Sequence, residues 1–335
     1  MKLSDKFLFP LFFFGCICWI NAQKGGEFQK IFGEAQGTTY SIVFKGPKAS
    51  FSKEEADSIF TVIDQSMSLW NRNSTLSKIN RNNEDYIIDE HLRYVFEVSK
   101  KVYRQSDGAF DPTIGPIVKA YGFVSKNDLP LPSLQTIDSL LQFVGFHKVD
   151  LVNNKVIKNL EGISLDFNAI AQGYTVDLLC NHLKNKGIKH YLVEVGGEIR
   201  ASGKNQEGQI WKIGIEKPIR DISDKQSELQ GVLALKNSSL ATSGNYRNYI
   251  EKSGKRVGHI LNPKTGQAVE HKIVSVSVIA PTCTESDAWA TAFVVLGKEK
   301  SFELAKKMKF EIQVITNNNG VLETTQTNGF KKLLR

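Results

Sequence analysis

Two oxygen-bearing side chains lie four residues apart in the segment TESDAWAT, residues 284–291. If this segment opens a helix, Asp287 and Thr291 project from the same face of it. A carboxylate and a hydroxyl placed in this way suit a hard divalent cation, which takes oxygen ligands from protein, water and substrate. The same pattern also has a purely structural interpretation. In that interpretation Asp287 completes a capping box begun by Thr284, and Thr291 bonds back to its own backbone.

A second candidate is the segment DFNAIAQG, residues 166–173. A strand is predicted to end at Asp166 and a helix to begin near Ala169, and free amides at such a junction can face a phosphate. Gly173 interrupts an otherwise helical pattern, which would let another group approach the helix closely. The alternative is that Asp166 is only an N-terminal cap of the helix.

Other positions give weaker signals. The glycine clusters at 196–197 and 243–245 indicate either a strand bulge or a close ligand. His259 stands alone in sequence, so a structural role and a catalytic role are both open. Trp70 and Phe110 either stack on an aromatic ligand or pack within the protein.

Several common site motifs are absent from the sequence. It contains no CxxC and no histidine pair at ligand spacing, so a zinc site is not expected. It has no Gly-x-Ser-x-Gly elbow, and GEIRASG matches neither a P-loop nor a dinucleotide fingerprint. Cys180 and Cys283 are open to a disulfide or to two buried thiols.

The composition is that of a folded protein with a sizeable core. Of 335 residues, 41% are apolar and 23% charged, which excludes a disordered chain. Lys and Arg total 43 against 35 Asp and Glu, a net charge of +8 that suits an anionic ligand or a membrane surface. The basic residues form no run of five or six, so nucleic-acid binding is not expected.

Residues 1–22 are predicted to be a secretory signal peptide. Two lysines precede the apolar run at 7–20, and Ala22 is the small residue at the expected cleavage point. The alternatives are a retained anchor or a lipid on Cys16 or Cys18. We therefore expect an exported, periplasmic protein, with inner-membrane attachment as the alternative, whose residues 23–335 form one domain of two interwoven lobes.

Hydrophobic periodicity and turn residues predict an α+β fold, with mixed, largely antiparallel sheets and flanking helices. The helices are predicted at 53–67 (opened by a Ser52–Glu55 capping box), 90–105, 134–143, 169–183, 284–297 and 300–308. The strands are predicted within 28–45, 148–159, 163–167, 190–203, 211–217, 231–237, 246–252, 274–281 and 311–325.

Taken together, six motifs resemble one family. They occur in the order found in the FAD:protein FMN transferases (the ApbE family): GAFDPTIGPIVKAYGF, SLDFNAIAQGYTVD, YLVEVGGEIRASG, ATSGNYRNY, GHILNPKTG and APTCTESDAWATAFVVLG. The resemblance covers roughly residues 30–330 and implies a T-fold-like architecture. It also implies an exported or membrane-attached bacterial protein that binds FAD and Mg²⁺. Such proteins move the FMN half of FAD onto a threonine or serine of a target protein through a phosphoester bond, releasing AMP.

The resemblance further implies roles for individual residues. The metal would be held by the side chains of Asp287 and Thr291 and by the backbone carbonyl of Ala169, with the carbonyl of Ala290 nearby. His259 would be the base that takes the acceptor proton or, alternatively, a ligand of a phosphate oxygen. The residues that would contact FAD are Thr38, Trp70, Ala109, Phe110, Asp111, Asp166, Gln172, His259 and Leu261.

Two residues depart from the family pattern. Gln172 stands where many members have a lysine, which removes one positive contact to the phosphates or the flavin. Gln36 stands where a methionine is usual. The first departure leaves open an Mg-dependent FAD pyrophosphatase that gives FMN and AMP. A non-catalytic exported FAD-binding protein is the third hypothesis.

Overall fold

The computed structural model describes residues 27–123, 130–218, 229–244, 249–252, 255–269 and 272–335. The predicted signal peptide lies outside the described residues. Within the described ranges, no helix combines the length and apolar character that a membrane crossing requires.

The described residues form an α+β fold, as predicted. The strands are β1 (Phe28–Ala35), β2 (Thr38–Lys45), β3 (Val149–Val152), β4 (Lys155–Lys158), β5 (Tyr191–Val195), β6 (Glu198–Ser202), β7 (Trp211–Glu216), β8 (Leu229–Leu235), β9 (Ser238–Gly244), β10 (Tyr249–Lys252), β11 (Lys255–Gly258), β12 (Ile273–Ala280), β13 (Glu311–Asn318) and β14 (Val321–Gln326). The α-helices are α1 (Lys53–Met67), α2 (Thr75–Asn80), α3 (Glu90–Gln105), α4 (Gly115–Tyr121), α5 (Leu134–Leu141), α6 (Asn168–Asn185), α7 (Cys283–Leu296), α8 (Lys298–Met308) and α9 (Asn328–Leu333).

Among the described strands, eight form one sheet in the order β1-β2-β5-β6-β9-β12-β13-β14. Every ladder between these neighbours is antiparallel. Helix α6 packs on β5 and β6, and α7 packs on β9 and β12. The two helices also pack against each other, so their crossing lies on the sheet.

Capping and turn residues close in sequence account for several of the elements that were predicted. Ser52 and Glu55 make the reciprocal hydrogen bonds of a capping box at the start of α1. Ser133 caps α5 by accepting a bond from the Thr136 amide. Asn153 and Asn154 both have positive φ, and they form the turn of the β3–β4 hairpin.

The predicted strand at 163–167 is wrong, because this segment forms no strand ladder. The side chain of Asn80, at the end of α2, takes the place of a neighbouring strand. Its amide nitrogen donates to the Leu165 carbonyl at 2.8 Å, and its oxygen accepts from the Leu165 amide at 2.8 Å. The segment is therefore partly buried without belonging to a sheet.

One strand was not predicted, and another is described only in part. Strand β9 is a central strand that the sequence analysis missed, because its residues SSLATSG are small and polar and do not alternate with apolar ones. The strand predicted at 246–252 is described only from Tyr249, as β10, and its earlier residues lie outside the described ranges. Cys180 and Cys283 are both buried free thiols.

Candidate active site

The close crossing of α6 and α7 is made possible by Gly173. A Cβ atom added at this position would overlap the carbonyl of Cys283 and lie 2.7 Å from the Cβ of Asp287. Real Cβ atoms essentially never come that close to another heavy atom. The glycine in the helical pattern thus serves close helix packing, and the group that approaches it is the start of α7.

A backbone amide of α6 also forms a hydrogen bond across the crossing. In a regular α-helix the Gly173 N–H would donate to the carbonyl of Ala169, four residues earlier. Here it donates to Oδ2 of Asp287 at 2.9 Å, and Ala169 has non-helical dihedrals at a kink (φ −85°, ψ 15°). Because Ala169 lies at this kink and the Gly173 amide bonds to a carboxylate, the Ala169 carbonyl is a candidate ligand for a cation.

Asp287 is 6% exposed, and burial raises the pKa of its carboxyl from 3.8 to about 7. The hydrogen bond from Gly173 opposes this shift without cancelling it. A buried carboxylate is costly unless a cation or several donors accompany it. The residues present therefore fit a divalent cation that would restore the ionised form of Asp287.

The capping interpretation of Asp287 is wrong, as is a helix start at Thr284. Helix α7 begins at Cys283, and its N-cap is Thr282, whose hydroxyl accepts from the Glu285 amide at 3.3 Å. The start moves earlier because Thr282 and Glu285 have the capping spacing themselves. Asp287 lies in the second turn, with its carboxylate directed to α6.

Thr291 follows Asp287 by one turn of α7 and reaches the sheet. Its Oγ1 is 2.9 Å from Oγ of Ser243, at the end of β9. Ser243 belongs to one of the glycine clusters singled out in the sequence, and the structure brings it beside a predicted metal ligand. The described residues contain no group of three His, Cys, Asp or Glu that could hold a metal. The predicted set is of another kind, with one carboxylate, one hydroxyl and one backbone carbonyl.

The FDPT segment is held in place through the side chain of Asp111. One carboxylate oxygen accepts from the amide and hydroxyl of Thr113 at 2.8 and 2.6 Å, and the other accepts from the Phe146 amide at 3.2 Å. Burial raises the pKa of Asp111. Ala109 and Phe110 are also buried, and Phe110 packs in the main apolar core. Contact of this segment with FAD stays a prediction.

Asp166 lies between the FDPT segment and α6. Its amide donates to the Pro112 carbonyl at 2.7 Å, and its Oδ1 accepts from the Asn168 amide at 2.8 Å. The N-cap position itself is occupied by Phe167. Burial raises the pKa of the Asp166 carboxyl. The structure thus places Asp166 beside the first turn of α6, three residues before Ala169.

Thr38 and Gln172 meet at Gly196. A Cβ added to Gly196 would lie 3.0 Å from Cγ2 of Thr38 and 3.1 Å from Nε2 of Gln172. Gln36, the second departure from the family pattern, is close to the same helix and donates to Oγ1 of Thr175 at 2.9 Å. Both departures therefore lie where the β1–β2 turn packs on α6. Gln172 brings a neutral carboxamide to this point.

His259 and Leu261 belong to a loop that docks on α4. His259 is half-buried and follows β11, while Leu261 is buried in a cluster with Ile117 and Tyr121 of α4. Lys264, at the tip of the loop, bonds to Asp107 at 2.6 Å. The loop is thereby tied to the chain just before the FDPT segment.

Trp70 and Phe110 differ in exposure. Phe110 is buried, which corresponds to the packing alternative for this residue. The Trp70 side chain is 67% exposed, in the loop between α1 and α2. An exposed indole ring is available to an aromatic ligand. Its contact with FAD stays a prediction.

The sequence analysis did not single out Asp177 and Arg200, which form an ion pair between α6 and β6. Asp177 is 4% exposed on α6, one turn after Gly173, and its Oδ1 accepts from Nη1 of Arg200 at 2.6 Å. A signal was present in the sequence, because Asp177 is flanked by apolar residues that are buried on α6. A charged side chain in such surroundings indicates a partner of opposite charge.

The comparisons with known proteins agree with this architecture. The model of the ApbE family matches residues 36–316. A protein of Escherichia coli (strain K12) named FAD:protein FMN transferase is 32% identical over an alignment that covers 97% of this chain and 95% of that protein. A protein of the same name from Haemophilus influenzae is 33% identical, over 93% of each chain.

Solved structures give the same result. The flavin transferase ApbE from Vibrio cholerae superposes with a TM-score of 0.82 at 28% identity, over 92% of this chain and 100% of that one. The flavinyl transferase ApbE of Pseudomonas stutzeri, in its apo form, has a TM-score of 0.81 at 29% identity, over 92% and 96%. The resemblance carried by the six motifs is confirmed, and the chain belongs to the ApbE family.

Proposed function

We propose that this protein transfers the FMN part of FAD to a threonine or serine hydroxyl of a target protein, with Mg²⁺ bound and AMP released. The coarser statement, an enzyme of the FAD:protein FMN transferase type, follows from family membership. The single observation that carries the finer proposal is the α6–α7 crossing. There the buried carboxylate of Asp287 bonds to Gly173 and Ala169 lies at a kink, and the oxygens of both residues are of the kind that a hard cation binds, which supports the proposal.

The proposed reaction exchanges a phosphoanhydride bond of FAD for a phosphoester bond to the acceptor. The acceptor oxygen forms a bond to the phosphorus of the FMN half, and the bond from that phosphorus to the bridging oxygen of the pyrophosphate breaks. AMP leaves with the electron pair of the broken bond. The hydroxyl proton passes to a base as the oxygen attacks, and His259 is the residue proposed for this step, with binding of a phosphate oxygen as its alternative role.

Three residues would hold the cation: Asp287 and Thr291 through their side chains and Ala169 through its carbonyl, with the Ala290 carbonyl in the adjoining turn. A bound divalent ion offsets the negative charge that develops on phosphate oxygens during transfer. The first turn of α6 adds aligned backbone amides to the same region, since Asn168 begins that helix.

FAD would lie along segments that adjoin α6 or α4. These are the FDPT segment, Asp166, the Thr38–Gln172 contact and the loop of His259 and Leu261. Trp70 presents an exposed ring to stack on the flavin or the adenine.

Hydrolysis of FAD to FMN and AMP is the second candidate, because water can replace the acceptor hydroxyl in the same site. The neutral side chain of Gln172, where a lysine is usual, is the feature that favours it. A non-catalytic FAD-binding protein is the third candidate. We also propose that residues 1–22 direct export and are removed, so that the acceptor is met in the periplasm.

The test mixes the protein from Gln23 onward with FAD, Mg²⁺ and a periplasmic extract, then examines flavin fluorescence on a denaturing gel. Wild type, Asp287→Asn and Asp150→Asn are compared. Asp150 is the matched control, since its side chain is 65% exposed and pairs with Lys100 rather than with α6 or α7.

A fluorescent protein band that requires FAD, metal and Asp287, and that persists in Asp150→Asn, is the expected result. AMP release without a band, in the presence of a competent acceptor, would favour hydrolysis. Intact FAD that stays bound for hours with Mg²⁺ present would instead favour the binding protein. Equal labelling by Asp287→Asn would contradict the proposed metal site.

A further inference from the structure

The start of α7 lies against a carboxylate from another helix. Oδ1 of Asp177 accepts from the Cys283 amide at 2.9 Å. Oδ2 accepts from the Thr284 amide at 2.8 Å and from the Thr284 hydroxyl at 2.6 Å. The carboxylate therefore meets the first two free N–H groups of α7, where the helix dipole also favours a negative charge.

The charge of Asp177 is balanced within the protein. Arg200 of β6 donates to its Oδ1 at 2.6 Å, and both side chains are largely shielded from water. With three donors from α7 and one from β6, this buried carboxylate is fully hydrogen-bonded. The geometry of such a pair is fixed, because separating the two side chains would leave an uncompensated buried charge.

Two contacts between α6 and α7 are spaced by one turn on each helix. Asp177 follows Gly173 by four residues on α6, while Asp287 follows Cys283 by four residues on α7. The Asp177 carboxylate binds Cys283, and the Asp287 carboxylate binds Gly173. Together the two contacts fix both the rotation and the sliding of α7 against α6.

We propose that Asp177, supported by Arg200, is a positioning residue for the cation site. It holds α7 so that the Asp287 carboxylate faces Gly173 on α6. This inference rests on the metal site of the proposed function, which it deepens by naming the residue that sets the site's geometry. Removing such an orienting partner typically weakens metal affinity by about 10- to 100-fold.

The test measures Mn²⁺ binding to the FAD-free protein, by calorimetry and by the electron paramagnetic resonance of the bound ion, alongside thermal unfolding. Asp177→Asn keeps one acceptor oxygen and removes the charge and the second acceptor. We expect its Mn²⁺ Kd to rise by about 10- to 100-fold, with a broadened spectrum of the bound ion.

Phe330→Leu is the control for a general loss of stability. Phe330 is fully buried in α9, in an apolar cluster that contains neither Gly173 nor Asp287. We expect this variant to unfold at a lower temperature while binding Mn²⁺ as wild type does. Thr284→Val, which removes one of the bonds to Asp177, is measured as well. If Asp177→Asn does not fold, the Mn²⁺ Kd of Thr284→Val tests the positioning role.

An Asp177→Asn or Thr284→Val protein that loses stability like Phe330→Leu, yet binds Mn²⁺ with wild-type Kd and spectrum, would overturn the positioning role alone. A wild-type protein that binds no Mn²⁺ would overturn the proposed metal site and this inference with it. The two failures are therefore distinguished by the wild-type measurement.

Discussion

Replacing Asp287 by asparagine should stabilise the metal-free protein at neutral and alkaline pH. The carboxyl is buried, and its pKa is raised from 3.8 to about 7 because burial disfavours the ionised form. Asparagine has nearly the same shape and can still accept the hydrogen bond from the Gly173 amide. Because it carries no charge, its burial avoids the cost of removing an ionised group from water.

The magnitude follows from the pKa. Each pKa unit corresponds to about 1.36 kcal/mol, so a rise from 3.8 to about 7 costs the folded state about 4 kcal/mol when the group is ionised. In the unfolded chain the carboxyl ionises near pH 3.8, while the folded protein retains the proton up to about pH 7. The unfolded state therefore binds fewer protons in this window, and the stability of wild type falls as pH rises through it.

The difference between the two proteins isolates this effect, since all other titrating groups are shared. In EDTA we expect Asp287→Asn to exceed wild type by about 4 kcal/mol at pH 8 and by roughly 1.5 kcal/mol at pH 5. Urea unfolding followed by tryptophan fluorescence at several pH values gives these free energies. Added Mg²⁺ should stabilise wild type and leave the variant unchanged.

Equal stability of the two proteins at pH 8 in EDTA would refute the reasoning. So would a difference that stays constant between pH 5 and pH 8, because the ionisation of Asp287 would then cost nothing in the fold. If the variant gains stability and loses Mg²⁺ binding, Asp287 serves metal binding and lowers the stability of the metal-free protein.

Three further substitutions test other parts of the site. Gly173→Ala should lower the free energy of unfolding by about 1–3 kcal/mol and weaken Mn²⁺ binding, because its Cβ would overlap α7; urea unfolding and calorimetry would measure both, and wild-type values would contradict the close crossing. Gln172→Lys should lower the Kd for FAD by about tenfold, the value of one charge-assisted hydrogen bond, as measured by quenching of flavin fluorescence; an unchanged Kd would place residue 172 away from FAD. Asn80→Ala should cost about 1–3 kcal/mol of stability because both bonds to Leu165 are lost, and no change in urea unfolding would mean that the 163–167 segment is held otherwise.

Elements fixed by neighbours in sequence were predictable. The capping box of Ser52 and Glu55 begins α1, and the paired asparagines turn the β3–β4 hairpin, because the groups that interact are within a few residues. The placement of Asp287 and Thr291 one turn apart on a helix was predictable for the same reason, while their role as metal ligands stays a prediction.

Elements fixed by distant residues were not predictable. Leu165 is held by Asn80, 85 residues away, so a local pattern typical of a strand gave no strand. Strand β9 has a polar, small-residue sequence because it lies under α7, where Ser239 and Ser243 bond to Ser286 and Thr291. The role of Asp177 depends on amides more than 100 residues later in the chain.

The two buried carboxylates at the α6–α7 crossing differ in how they are compensated. Asp177 receives hydrogen bonds from two amides, a hydroxyl and an arginine, so its charge is stabilised by the protein alone. Among the described residues, Asp287 receives one, from Gly173. Both carboxylates are buried to a similar extent at the α6–α7 crossing, so burial alone does not explain why one has four donors and the other one. The carboxylate left without an internal cation is the one that a divalent ion would complete, and the fully bonded one keeps it in position.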